Sequence, residues 1–541
     1  EIPISSCAEL QDINNDLAGD YYLTDDIDCS DLSFMPIGDA DTPFTGTFDG
    51  NGFTISNVSI DRPAMNYVGL FGYAGTDAAI SDVNLTGIEI TGNSHVGGLF
   101  GQLYYGTVTD VHVEGTIKGN VVLGGLGGYA VSSIISHASS SGSVGMLDDP
   151  TGNFSQIFYG GLIGGNIRGN QISEISCSSS DAEVTGNYRV GGLVGHNSGT
   201  ITSSFATGPV KGFYRVGGLA GENISGTIVD CFATGSVSGF GNITGLPDSH
   251  ELGGLVGLQY RYGDEPVIMN SYATGSVTGG IRNMKGILGL KLNGSCTGTF
   301  WDKTTSGVSS DACGSVGLTT EEMQDQETYV DWDFDETWMM NGYPVLQCYD
   351  TVTSLTGRVW MSRNLGASRV ALSSTDEDAY GDLYQWGRLT DGHEKRTSGT
   401  TTELSSTDVP GHSDFILASI YWRNPHNNNL WQGVNGVNNP CPAGFKLPTE
   451  AEFNAEINSW SSKDAAGAFA SPLKLVLAGY RESFSGSNVE AGQSGGYWTS
   501  DYEPYYADYY IIKALAIESS TTLLGPMYPA YGLSVRCIKA E

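Results

Sequence analysis

Residues 217–239 read GGLAGENISGTIVDCFATGSVSG, and each phrase in them returns elsewhere in the chain. The opening GGLAG recurs as VGLFG (68–72), GGLFG (97–101), GGLGG (124–128), GGLIG (160–164) and GGLVG (191–195 and 253–257), with a degenerate GILGL at 286–290. The closing phrase recurs as FATGPVKG (205–212) and YATGSVTG (272–279). Counting the glycine before each leucine, the steps run from 26 to 36 residues. The unit is therefore about 26 residues, and longer steps carry insertions such as 146–157 and 240–251. Within a unit, apolar and polar residues alternate, which is the period of a strand. Helical periodicity is absent across 40–300. One unit offers three short strands and three turns, enough for one coil of a β-solenoid. About eight coils stacked at the inter-strand spacing of ~4.8 Å make a rod roughly 40 Å long.

The rest of the composition suits such a chain. Of 541 residues, 76 are glycine and 39% are hydrophobic, so the chain is folded rather than disordered. It carries 25 Lys and Arg against 60 Asp and Glu, a net charge of −35, which excludes a phosphate-binding surface and hence nucleic acid. No apolar run is long enough to span a membrane. The sequence opens Glu-Ile-Pro, which suggests a removed signal peptide. Nine cysteines occur without a C-x-x-C pair, which argues against zinc. The spacing of Cys7/Cys29, Cys296/Cys313 and Cys441/Cys537 suits disulfides at domain ends. Sequons at Asn57, Asn84, Asn153, Asn223, Asn242 and Asn293 are candidates for glycosylation. Together these features place the protein outside the cell or at its surface.

The repeats resemble the GLUG motif family of bacterial and archaeal surface proteins, which implies an extracellular stalk or adhesin region rather than a reaction. A solenoid needs caps, because an open terminal coil is an unpaired sheet edge. At the front, Cys7 to Cys29 frames a polar segment, and residues 34–60 read as a first coil. At the back, Thr319-Thr320-Glu321-Glu322 has capping-box character, and Trp332, Trp338 and GYPVL (342–346) are expected to close the hydrophobic end. The expected domains are thus 1–60 (cap and first coil), 61–299 (solenoid), 300–350 (C-terminal cap) and 351–541. Repeat alignment sets Cys177 opposite Ser203 and Asp230, and Cys231 opposite Ser204. That puts Cys177 and Cys231 on opposite faces and argues against a bond between them, leaving the partners of Cys177, Cys231 and Cys348 open.

From about 352 the glycine repeats stop. Thr449-Glu450-Ala451-Glu452 opens a helix through about Trp460; LKLVLAGYR (473–481) and YGLSVRCIK (531–539) read as strands. GRVWMSRNLG (357–366), YGDLYQWGR (380–388), NPCPAGFKLPTEAEF (439–453), LAGYR, GGYWTS (495–500) and YGLSVRC together resemble the Fibrobacter succinogenes major paralogous domain, a family similar to the C-type lectin-like fold. The resemblance implies an α+β domain with its termini paired in strands, and a Cys441–Cys537 disulfide pinning the last strand. The fold class expected is therefore mainly β: an N-terminal parallel β-helix followed by an α+β C-type lectin-like domain.

The calcium–sugar site of many C-type lectins needs a Glu-Pro-Asn or Gln-Pro-Asp loop and a Trp-Asn-Asp strand. Here Glu503-Pro504 is followed by Tyr505, and Trp498 by Thr499, so that site is absent. Between Tyr497 and Tyr531 there are eight tyrosines. Tyrosine gives large, rigid contact area with a polar tip. The layout resembles the variable region of lectin-fold proteins diversified by retroelements. Asp501, Tyr502, Glu503, Tyr505, Tyr506, Asp508, Tyr510, Tyr528 and Tyr531 are the candidate contact residues. In the solenoid, Arg189 and Arg215 share one repeat position and read as stacked surface arginines balanced by acids. Asp-rich stretches at 24–31 and 39–41 offer carboxylates for Ca²⁺, the single cofactor entertained. No H-E-x-x-H occurs, since His393-Glu394 continues Lys395-Arg396, and no acid–base pair can be assigned, so the expectation is no enzyme. Two readings follow. One is an adhesin whose stiff stalk presents a Tyr-rich binding head to a cell-surface or matrix protein or glycan. The other is a subunit of a head-to-tail filament or sheath, with the Tyr-rich face as subunit contact and the EIPIS strand adding to a neighbour's sheet.

Overall fold

The computed structural model describes residues 2–147, 157–240, 250–280, 282–334, 337–346, 348, 351–367, 370–434, 436–442, 444–506 and 509–540, leaving aside the side chains at 339, 341, 504–506, 509 and 510. The chain is mainly β and forms two compact units, 1–333 with 337–348, and 334–336 with 349–541.

In the first unit each repeat contributes one rung, and the rungs stack in parallel. One face holds eight strands, from Asn66–Val68 to Met284–Lys285; a second holds eight, from Phe71–Ala74 to Leu288–Lys291. A third face is longer and bends within each rung, as in Thr200–Thr202, Phe205–Ala206 and Val210–Gly212. Register keeps like residues together: Phe205, Phe232 and Tyr272 are partners on successive rungs. The motif leucines Leu70, Leu99, Leu126, Leu162, Leu193, Leu219 and Leu255 form one fully buried column. The glycine before each is forced by close approach. A Cβ on Gly161, Gly192, Gly218 or Gly254 would fall on the carbonyl oxygen of the next rung's equivalent glycine. The insertions at 146–157 and 240–251 lie largely outside the described residues.

Cysteines tie both ends of this unit, through Cys7–Cys29 and Cys296–Cys313. Cys177 bonds Cys348, and Cys231 is a buried free thiol. The third face explains the difference. At its bend a column of residues takes left-handed φ, including Cys177 (46°), Ser203 (46°) and Asp230 (52°), and these point outward. Cys231 sits one place later in the inward column with Ser178, Ser204 and Ser271. Trp332, Trp338 and 342–346 do not close the end of the stack, as the sequence suggested. They cover the outward aromatics of the third face: Trp338 packs on Phe232 and Tyr272 and donates to Asp230, and the Tyr272 hydroxyl donates to the Pro344 carbonyl. A bare aromatic ladder is the surface that most requires cover. The capping box at Thr319 and Glu322 does open a short helix, Thr320–Met323.

In the second unit the chain's entry and exit pair: Val359–Met361 lies against Ile538–Lys539, which also pairs with Phe445–Lys446. Cys441–Cys537 pins this sheet. Helix Glu450–Ser459 starts at a full capping box on Thr449 and Glu452. Residues 473–481 form a strand only at Tyr480–Arg481. Upstream, Val476 N donates to the Tyr497 hydroxyl and Leu477 N to the Ser374 carbonyl, so a side chain and a loop stand where a neighbouring strand would. Likewise 531–539 is strand only at Gly532–Leu533 and Ile538–Lys539. The unit's longest strands, Ser494–Tyr506, Tyr509–Glu518 and Thr522–Met527, join in a three-stranded antiparallel sheet. No described helix is long and apolar enough to cross a membrane.

Candidate functional site

The three-stranded sheet carries an open groove of about 520 Å³. Three glycines line it: a Cβ on Gly525 would meet nothing within 4 Å, whereas on Gly495 and Gly496 it would run into the Val476 carbonyl oxygen and the Leu533 side chain. Tyr480, Tyr528, Tyr531, Leu523 and Met527 contribute its aromatic and apolar lining, with Glu490 and Glu518 also in it. Tyr480 and Tyr531 meet with ring centroids 5.9 Å apart. Burial and the neighbouring Glu490 push the Tyr480 hydroxyl above its ordinary pKa, so it remains a hydrogen-bond donor at neutral pH. Leu523 is 63% exposed and Tyr528 37%, an unusual amount of apolar and aromatic surface in one place.

The expected contact residues divide. Tyr528 and Tyr531 line the groove. Asp501 is committed elsewhere: its carboxylate accepts from Glu450 N at 2.5 Å and so caps the helix Glu450–Ser459. Glu503 pairs with Lys513 at 3.1 Å, and Tyr502 is 38% exposed outside the groove lining. Asp508 and the side chains of Tyr505, Tyr506 and Tyr510 lie outside the described residues. Tyr480, which the strand phrase LAGYR contains, joins the groove only because the chain folds back beside the terminal segment.

Among the described residues one group brings three possible metal ligands together: Asp391, His393 and Glu394. Both ring nitrogens of His393 and both oxygens of Asp391 are already engaged. His393 Nδ1 meets Asp391 at 2.6 Å, Nε2 accepts from Gln385 N at 3.0 Å, and Arg388 holds the other Asp391 oxygen at 2.7 Å. Burial depresses the His393 pKa to about 4, so the ring stays neutral. The arginines of the phrases WGR, GYR and VRC are structural in the same sense. Arg388, Arg481 and Arg536 are buried and clamp carbonyls, among them Asp414, Ser398 and Leu473. In the Asp-rich front segments the carboxylates accept local bonds, Asp26 from Thr54 N and Asp39 from Thr42 N.

Arg189 and Arg215 are half-buried and, as expected, balanced by acids. Both converge on the buried Glu222, at 2.5 and 2.6 Å, with His196 on the same carboxylate at 2.6 Å. Of the sequons, Asn223 is fully buried and its amide donates to the Gly226 carbonyl at 3.0 Å, which rules out a glycan there. Asn153 and Asn242 lie outside the described residues. Asn57 is exposed, while Asn84 and Asn293 are half-buried.

Residues 92–118, 186–211, 214–238 and 248–278 match the GLUG motif. Halomucin of Haloquadratum walsbyi is 41% identical over 138 residues, 23% of this chain and 2% of that protein. A Gly-rich membrane protein of Evansella cellulosilytica is 35% identical over 122 residues, 20% of this chain and 14% of its own length. An immunoglobulin A1 protease of Streptococcus sanguinis is 28% identical over 197 residues, 34% of this chain and 10% of the protease. A solved structure titled IgA1 Protease superposes with a TM-score of 0.34 at 17% identity, over 57% of this chain and 21% of that one. This chain thus spans a small part of each of these relatives. Its parallel stack is built on repeats of the GLUG motif.

Proposed function

We propose that the protein is a non-enzymatic cell-surface adhesin. The GLUG-repeat unit is a stiff stalk, and the C-terminal unit is a lectin-like head that binds a surface or matrix protein or glycan. The observation that carries this reading is the groove beside Tyr528 and Tyr531. Its volume of about 520 Å³ lies in the range of roughly 300–1,000 Å³ usual for ligand sites. A glycine floor with tyrosine walls gives close approach and rigid amphipathic contact without a metal. Four disulfides fit an oxidising compartment, and halomucin and the Gly-rich membrane protein carry names of the same kind of location.

The test is a glycan and matrix-protein array probed with the full chain and with Tyr528→Ala and Tyr531→Ala. Either variant should weaken the strongest interactions about tenfold, the cost of one well-packed aromatic anchor. Sedimentation velocity on the same samples addresses the competing filament reading. Concentration-dependent polymers lost in the tyrosine variants would replace the adhesin with a self-assembling subunit. Strand addition through EIPIS is a poor route to such a polymer, because Pro3 sits within the edge strand Ile2–Ile4 and offers no N–H.

A further inference from the structure

The register of the three-stranded sheet fixes what its groove presents. Ser494 lies opposite Glu518 and Gly496 opposite Ala516, while the third strand sets Leu523 beside Ala516 and Gly525 beside Ala514. Paired and alternate residues share a face, so the small residues and the Glu518 side chain stand on one side of the sheet. The Ser494 hydroxyl donates to Glu490 at 2.8 Å, which holds a second carboxylate at the same end of the groove as Glu518. Both glutamates line the groove and are exposed, and no Lys, Arg or His lines it among the described residues. Neither carboxylate has an ion-pair partner among those residues. The imbalance extends along the chain. Residues 482–535 hold six Asp and Glu against one Lys, Lys513, which pairs with Glu503, whereas 349–481 hold eleven Lys and Arg against fourteen acids.

We propose that the partner of the C-terminal unit is a protein, and that the groove receives a Lys or Arg side chain from an exposed segment of it. The cationic tip sits at Glu490 and Glu518, and the aliphatic stem lies along the tyrosines. This rests on the head being the binding unit and names what it binds. Like charges held at one end of a sheet face repel, and a basic tip relieves that repulsion. Tyr480, Tyr528 and Tyr531 supply ring faces that attract a cation, and Leu523 and Met527 supply apolar contact for its stem. A groove of about 520 Å³ is far larger than a metal or ammonium ion needs. An amino sugar would bring a hydroxyl on most of its carbons, and the apolar part of the lining would leave several of them unpaired, which is costly. A peptide instead covers the exposed Leu523 and Tyr528 with the residues flanking its basic one. Phosphate, sulfate and uronate groups are repelled by the same two carboxylates.

The experiment is calorimetric titration of the full chain at pH 6, at low and high NaCl. The probes are end-blocked Ser-Leu-Arg-Leu-Ser, its Lys and citrulline counterparts, and a glucosamine oligomer. The Arg and Lys peptides should bind about tenfold more tightly than the citrulline peptide, which has nearly the same shape without the charge, and more weakly at high salt. Glu490→Gln and Glu518→Gln should each weaken the Arg peptide about fivefold, the scale of an exposed ion pair. Glu89→Gln removes the same charge from an exposed position in the repeat unit and should change nothing. The proposal fails if the Arg peptide binds no better than the citrulline peptide, or if the groove variants weaken it no more than Glu89→Gln does. It also fails if the glucosamine oligomer binds more tightly than the peptides and loses that binding in the groove variants, which would make the partner a cationic glycan. An array interaction lost with Tyr528→Ala but indifferent to both glutamine variants overturns this proposal and leaves the adhesin reading standing. Array interactions indifferent to all three overturn both.

Discussion

At Gly192 a side chain has nowhere to go, because the Gly218 carbonyl of the next rung occupies the place of its Cβ. Gly192→Ala must push two rungs apart, and overpacking of this kind costs about 1–3 kcal/mol. Equilibrium urea unfolding should show that loss, with a smaller one for Gly307→Ala, where a Cβ meets nothing and the left-handed φ of 72° is the only penalty. His393 sets a pH dependence. Folded, its pKa is about 4 against an ordinary 6.5, so between those values the unfolded chain binds a proton the folded chain does not. Stability of the C-terminal unit should therefore fall as pH drops from 6.5 towards 4, and His393→Gln should flatten that slope while lowering the plateau. A slope unchanged in the variant would place the effect elsewhere. Single-residue roles were legible where backbone packing dictates identity, as with the motif glycines. They were not legible for Asp501 or Asn223, whose roles depend on Glu450 N and the Gly226 carbonyl arriving beside them.

Elements with their own local signals behaved as the sequence read. The capping box at Thr449 and Glu452 starts its helix in place, and Thr449→Ala should cost about 1 kcal/mol by denaturant unfolding. The segment 473–481 behaved otherwise. It has the composition of a strand but spends its amides on Tyr497 and a loop, and only the fold supplies those partners. The segment Trp338–Leu346 likewise runs over the side of the stack, held by the Cys177–Cys348 bond across a sequence separation of 171. On the chain-entropy account a loop of that size is worth about 5 kcal/mol. Cys177→Ser should lower the unfolding midpoint of the repeat unit and expose Trp332 and Trp338 to fluorescence quenchers. Cys231→Ser, inside the stack and unbonded, should leave the quenching unchanged.

Over the whole molecule the net charge of −35 opposes compaction. Raising NaCl should therefore raise the thermal midpoint as repulsion is screened. At matched ionic strength CaCl₂ should raise it no further, because the described carboxylates at Asp26, Asp28 and Asp39 already accept local hydrogen bonds. A clear calcium excess would instead identify a bound ion and restore Ca²⁺ as a structural cofactor.

Sequence alone determined the stack: its period, its strands and its eight rungs follow from where glycine and leucine recur, because each rung packs only against its neighbours and repeats its own chemistry. It also determined the three disulfides that join residues close to domain ends. Tertiary structure decided what depends on residues far apart in the chain. Cys348 finds Cys177, Tyr480 joins Tyr528 and Tyr531, and Arg189 and Arg215 close on one glutamate. Such meetings are set by how whole rungs and strands are registered in space, and no local spacing encodes them.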